Sequence, residues 1–306
     1  IIECSLSYAF HAFRPRLTLE SGSEIWSFSK WIVILHILNY VTLRFDRILI
    51  GGLVPAARLG QYTMGVEVSQ MATTELIAPI SRAIVPGLAK LQSDAKRLRA
   101  AFLKTVGATT IVAFPAAVGL ALVAPEVVPL FLGDQWIEAI AIVQIASIHL
   151  MMGTLGSAGT NLFLVAGDLS KLITLSAIRA VTFLLLFFPM FEWGGIQGVL
   201  YFKVVLATAM SFAVLATVSR IHVIPVRQII GQIWRPMAGS AAMAACVVLM
   251  SASVPDAPML ALMYKTIIGG LIYTITVSTL WWLFGRSDGI ESEVQNLILT
   301  KLGRSD

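Results

Sequence analysis

His36, Tyr40, Arg44 and Arg47 recur at i, i+4, i+8 and i+11, the spacing that aligns side chains along one face of an α-helix. Such a row suits anion binding, because arginine's fork of N–H donors grips phosphate or carboxylate oxygens in pairs. The row lies within an apolar stretch, where an ionisable side chain costs ~2.5–3.5 kcal/mol at the centre of a membrane helix and so faces a cavity or a partner. These four residues are therefore expected to form the cationic wall of a substrate pathway. The simpler reading is that Arg44 and Arg47 only reach back to the membrane interface.

Asp46 points away from its neighbour Arg47 and is free to pair with another helix. Glu67 shares a face with Gln70 and Thr74. It either holds a coupling ion or, the favoured reading, pairs with an arginine of the first span. Asp46 and Glu67 are the candidates for coupling-ion or ion-pair roles. Glu75 has Arg82 as its expected partner. Lys203 is an even choice between reaching the interface and facing a cavity, and it joins the substrate-binding candidates. Lys265 is expected to reach the outer interface and Arg179 the cytoplasmic one.

These residues need membrane-spanning helices to position them. Mean hydropathy is +0.84, and only 13% of residues are charged against about 25% in an ordinary soluble domain. Apolar runs near 25–50, 59–85, 101–124, 137–165, 172–190, 195–218, 237–253 and 261–284 are each of a length to cross a bilayer. With no water to satisfy the backbone there, they are expected to be helices, giving an all-α integral membrane protein with about eight spans. Gly51-Gly52, Pro86-Gly87, Pro125, Gly167, Gly194-Gly195, Pro236 and Pro255 mark the expected turns, and Pro115 an expected kink. Gly153, Gly156, Gly159 and the Gly194–Gly198 spacing allow close helix contact.

Basic residues gather in alternate connections. Lys90, Lys96, Arg97, Arg99 and Lys104 follow the second span, Lys171 the fourth, and Arg220, Arg227 and Arg235 the sixth; Arg286, Lys301 and Arg304 follow the last. The opposite connections 125–136, 191–194 and 254–260 carry no Lys or Arg, and 51–58 carries only Arg58. The bias predicts that both ends of this stretch are cytoplasmic. Topology also accounts for the pI of about 9.4, so no nucleic acid is implied. Lys96, Arg97 and Arg99 could also touch anionic lipid headgroups.

No GxxxxGK[ST], HExxH, CxxC or GxSxG motif occurs, and the four histidines lie on different elements. The reading is a transporter rather than an enzyme, with no metal or cofactor. Cys4 and Cys246 lie far apart, and Cys246 reads as small apolar filler. The first residue is isoleucine, and 1–13 resembles the end of a helix, which reads as the C-terminal portion of a longer protein. The tail 286–306 is either a short surface helix or frayed.

Three stretches in order carry a family resemblance. Phe45-Asp-Arg-Ile-Leu-Ile-Gly51 is followed by Leu59-Gly-Gln-Tyr62. Thr74-Glu-Leu-Ile-Ala-Pro79 runs on to Ile84-Val-Pro-Gly-Leu-Ala-Lys-Leu91. Ala124-Pro-Glu-Val-Val-Pro-Leu-Phe-Leu-Gly-Asp-Gln-Trp136 is the third. Together with Arg14-Pro-Arg16 they resemble the polysaccharide transporter branch of the superfamily that also holds the multidrug MATE exporters and the lipid II flippases.

The resemblance implies that 1–24 ends a first-lobe helix and links to a six-helix second lobe at 25–218. A cytoplasmic connection at 219–236, two extra helices at 237–284 and a cytoplasmic tail at 285–306 then follow. It implies export of lipid-linked oligosaccharide across the bacterial cytoplasmic membrane by alternating access, with a missing N-terminal lobe and membrane lipids as partners. A MATE-type drug or cation antiporter is the alternative, and a membrane-embedded glycan polymerase or ligase is more remote.

Overall fold

The structure is a computed structural model and describes residues 22–92, 94–250, 255 and 257–284. Cys4, the Arg14–Arg16 junction and the tail 286–306 lie outside them. Among the described residues every regular element is helical: α1 (Gly22–Leu43), α2 (Phe45–Gly51), α3 (Ala56–Ala89), α4 (Ala95–Leu132), a 3-10 turn (Asp134–Trp136), α5 (Ala139–Ala166), α6 (Leu169–Ile221), α7 (Val226–Leu249) and α8 (Pro258–Leu283).

The long α6 is two spans. Gly194 and Gly195 leave helical geometry, and Gly195 takes φ +59°, ψ −142°, a conformation open essentially to glycine alone. The rings of Phe183 and Phe202 stack 6.5 Å apart. A straight helix would separate residues nineteen apart by about 28 Å. The chain therefore reverses, and limbs 169–193 and 196–221 pack against each other. The reversal is tight enough that a Cβ on Gly198 would lie 2.3 Å from the Met190 carbonyl oxygen. The Gly194–Gly198 spacing thus serves a turn rather than contact between separate helices. Counting α1 with α2 as one span and α6 as two, eight helical spans match the eight apolar runs.

Helices α4, α5, α6 and α8 are long and apolar enough to cross a membrane on their own composition. The first span contributes the shorter apolar helix Ser29–Leu43, which the break at Arg44 ends, while α3 carries Glu67 and Glu75 and α7 carries Arg235 in their interiors. Two of these three also supply the wall of the site described below.

Three expected turns are helix instead. Helix α4 runs through Pro125 and Pro129, and α7 begins at Val226 and runs through Pro236, so the expected loops 125–136 and 219–236 are largely helical. Helix α3 likewise continues through Pro86-Gly87 to Ala89. A proline inside a helix lacks an N–H and strands the carbonyl four residues back. In lipid that carbonyl needs another donor. Neighbouring helices supply it three times. The Ile111 carbonyl, freed by Pro115, accepts from the Tyr273 hydroxyl at 2.8 Å. The Ala121 carbonyl, freed by Pro125, accepts from the Gln144 amide at 3.2 Å. The Gln232 carbonyl, freed by Pro236, accepts from the Thr110 hydroxyl at 3.4 Å.

Helix α5 sits at the centre, packed on α3, α4 and α6, while α7 and α8 cover the far side of α4. Phe102, Phe163 and Val218 anchor one buried cluster, and Tyr62, Phe183 and Phe187 another. Gly156 and Gly159 let α5 meet the second limb of α6 directly: a Cβ on Gly159 would lie 2.6 Å from Val214. Gly153 instead faces open space. Cys246 is half-buried in α7 beside Met250.

Candidate functional site: a cavity lined by arginine and lysine

A cavity of about 640 Å³ opens between α1, α3, α5 and both limbs of α6. Arg44, Glu75, His149, Asn161, Arg179 and Lys203 are the residues on its wall with most chemistry. It spans the half of each helix nearer the Lys90–Lys104 cluster, since Ala78, Asn161, Leu172 and Val214 all border it.

The first span contributes differently from the expected single row. Regular helix stops at Arg44, which takes φ −132°, ψ −22° before α2 resumes at Phe45. The break resets the periodicity, so His36, Tyr40, Arg44 and Arg47 do not share one face. Arg44 lines the cavity together with Asn39, Thr42 and Leu43. His36 and Tyr40 are exposed, as are Val33 and Ile37, and do not line the cavity. Arg47 turns to α3, where its guanidinium lies 3.1 Å from the Glu67 carboxylate in a half-exposed pair.

Lys203 forms the cavity floor, and Asp46 is buried beneath it. Lys203 Nζ donates to Asp46 Oδ2 at 2.5 Å, with both side chains nearly inaccessible. The Tyr62 hydroxyl donates to the same oxygen, and the Arg47 backbone N–H donates to Asp46 Oδ1 at 2.8 Å. Every strong acceptor of this carboxylate is thus engaged. Asp46 pairs with other helices, as expected, while its second oxygen accepts from Arg47's backbone. His149 Nδ1 lies 3.0 Å from the Lys203 carbonyl oxygen, tying α5 to the same point.

Arg179 is the cavity cation that sequence position concealed. Eight residues after Lys171, it was expected at the interface; instead it turns inward and donates through Nη2 to Asn39 Oδ1 at 2.5 Å. Its Nε is buried without a hydrogen-bond partner among the described residues. An arginine held by one amide, with donors to spare at a cavity wall, can take an anion. Lys265 also departs from expectation. It points inward to Glu126 Oε1 at 2.5 Å, joining α8 to α4. Glu75 makes no ion pair with Arg82 among the described residues and stays on the cavity wall. Arg99 is bound to Gln228 at 2.7 Å, a bond between helix ends at the start of α4 and α7. No three metal-ligating side chains come together among the described residues.

Comparison with known proteins finds similarity over about half of the chain. Residues 1–141 match the family model described as "Polysaccharide biosynthesis protein". The lipopolysaccharide biosynthesis protein WzxC of Escherichia coli K12 is 30% identical over 149 residues, 48% of this chain and 30% of that protein. The teichuronic acid biosynthesis protein TuaB of Bacillus subtilis 168 is 23% identical over 149 residues, covering 49% and 31%. Over its first half, the chain is thus similar to proteins of polysaccharide biosynthesis.

Its fold is shared with a solved membrane protein. The lipid II flippase MurJ, in an inward closed conformation, superposes with a TM-score of 0.65 over 92% of this chain and 59% of that one, at 15% identity. The aligned region spans about a third of the curated relatives' length. Within this chain, two of the resembling stretches meet in space: the Tyr62 hydroxyl of Leu59-Gly-Gln-Tyr62 donates to Asp46 of Phe45-Asp-Arg. The third stretch reaches the same end of α3, where the Gln61 amide is 3.5 Å from the Gln135 carbonyl oxygen.

Proposed function

We propose that this chain forms one lobe of a flippase that exports lipid-linked oligosaccharide, with the cavity between α1, α3, α5 and α6 as its half of the headgroup pathway. The observation that carries the reading is the presence of Arg44 and Arg179 on one cavity wall in a chain similar to polysaccharide biosynthesis proteins. Both have guanidinium donors suited to a pyrophosphate linkage, which every lipid-linked repeat unit would share whatever its sugars. A cation exporter would favour the opposite sign, and here Glu75 is the lone acid at the wall against those two arginines. This supports the anionic substrate over a MATE-type drug antiporter.

The basic cluster at the cavity's end of α4 supports an opening toward the cytoplasm of the bacterial inner membrane, with residues 22 and 284 on that side. Residues 25–218 then make the lobe, and α7 with α8 an added pair behind α4. A second lobe completes the cavity on its open side, and we place His36 and Tyr40 against that lobe. The pair Asp46–Lys203 acts as the floor that holds both ends of the lobe in register.

The test is complementation of a flippase-deficient strain by full-length protein, with membrane abundance measured by immunoblot. Arg179→Ala combined with Arg44→Ala should remove surface glycan by at least tenfold at normal abundance, and lysine at both positions should restore only part. Wild-type export from the alanine double variant would end the headgroup reading.

A further inference from the structure

At the opposite end of the lobe lies a second recess, of about 520 Å³, bounded by the start of α3, the start of α5 and the Gly194–Gly195 turn. Its size falls in the range of small-molecule sites, ~300–1,000 Å³. Its polar lining is Arg58, Gln61, Glu138, Gln144 and Gln197. Arg58 is the one basic residue in the connections at that end, against the charge bias of the rest of the chain. Neither topology nor the cavity accounts for it.

The side chains at this recess have unused capacity. Arg58, Glu138 and Gln197 are exposed and have no hydrogen-bond or ion-pair partner among the described residues. Arg58 and Glu138 border the same space without pairing, so a ligand can meet both. Gln144 spends one N–H on the Ala121 carbonyl and keeps its oxygen. The bare backbone of Gly194 and Gly195 lets a ligand approach the turn, since no atom lies within 4 Å of where either Cβ would be.

The composition selects the ligand. A phosphate would be repelled by Glu138, and a metal ion by Arg58. Three carboxamides with one charge of each sign offer donors and acceptors side by side. Sugar hydroxyls, each a donor and an acceptor, match that pattern. We infer that the recess beside Gly194–Gly195 is a saccharide-binding site that takes the sugars of the repeat unit at the outer face, separate from the cavity that takes the anionic linkage. The inference rests on the proposed export reading and its orientation. Along α5 the two sites are close: the recess ends at Gln144 and the cavity begins at His149, about 7.5 Å of helix rise later. Between them lies the buried layer of Tyr62, Ala146, Val199 and Leu200. A headgroup leaving the cavity would meet this recess next.

The probe is the repeat-unit oligosaccharide, released by mild acid from the lipid-linked intermediate of the strain that carries the gene and tritiated at its reducing end. Equilibrium dialysis against purified full-length protein should show binding that Arg58→Ala with Gln197→Ala weakens at least tenfold. Arg179→Ala should leave that binding intact, and added pyrophosphate should not compete. Thermal unfolding of each variant should match wild type within a few degrees; the milder Gln197→Ser replaces any variant that does not. No binding by wild type, unchanged binding by the recess variants, or loss of binding in Arg179→Ala would each overturn the site. Labelling of a cysteine at position 134 by an impermeant maleimide on intact cells checks the orientation separately. A failed orientation with intact binding would overturn the outer-face assignment alone.

Discussion

Two lysine–carboxylate pairs, the buried Asp46–Lys203 and the half-buried Glu126–Lys265, have the same 2.5 Å contact and different surroundings. Around Asp46 the network is complete: a tyrosine hydroxyl, an ammonium and a backbone N–H converge on one carboxylate from three elements. Around Glu126, Oε2 is buried without a hydrogen bond, and the lysine spends a further contact on the Leu122 carbonyl at 3.4 Å. A fully satisfied polar network fixes a unique geometry, while a partly satisfied one adds little beyond attachment. The first pair sits under the cavity, where geometry matters. The second fastens α8 to α4, away from it.

The largest expected effect comes from opening the complete network. Asp46→Ala leaves the Lys203 ammonium buried without its partner, a change that costs about 3–5 kcal/mol in buried pairs. Full-length protein should fall sharply in abundance and lose most of its thermal stability in detergent. Adding Lys203→Met should recover abundance, because no buried charge remains. Recovery of export with it would show that the floor needs shape alone; stable protein without export would show that its charges matter to function.

A smaller effect is expected at the second pair. Glu126→Gln with Lys265→Met replaces the ion pair by groups of similar volume, a change that is often neutral. Thermal unfolding in detergent should move by less than about 1 kcal/mol in free energy terms. Export should stay within twofold of wild type. A collapse of export would move α8 from the periphery into the mechanism and erase the contrast between the pairs.

The smallest effect is expected at Arg47–Glu67. The carboxylate is half-exposed, and exposed ion pairs are worth ~0–1 kcal/mol. Arg47→Ala should therefore reduce export far less than Arg179→Ala in the same complementation assay. Equal losses would restore Arg47 to the cavity wall.

Most of the fold could be read from sequence because hydrophobic length and basic connections report directly on membrane crossing. Three features could not. The break at Arg44 has no glycine or proline at Leu43-Arg44-Phe45 to mark it, yet it decides which side chains of the first span share a face. The helical run through Pro125 and Pro236 depends on Gln144 and Thr110, donors on other helices that no local pattern reveals. Depth counted along one span also cannot tell whether a long basic side chain reaches out to water or in to a partner. Arg179 and Lys265 both turn inward because Asn39 and Glu126, about 140 residues earlier, offer acceptors there. Asp46 was the easier case: an acid inside a span has no long arm with which to escape, so a buried partner was the natural expectation.

The two-glycine reversal in α6 also bears on how the protein is made. A turn that short offers no segment to wait on one side of the membrane, so limbs 169–193 and 196–221 must enter lipid together as a folded pin. That pin brings in two cations, Arg179 and Lys203. Their acceptors, Asn39 and Asp46, emerge from the ribosome well over a hundred residues earlier. Synthesis order thus has the berth built before the charge arrives, and neither cation has to stay in hydrocarbon without a berth to enter.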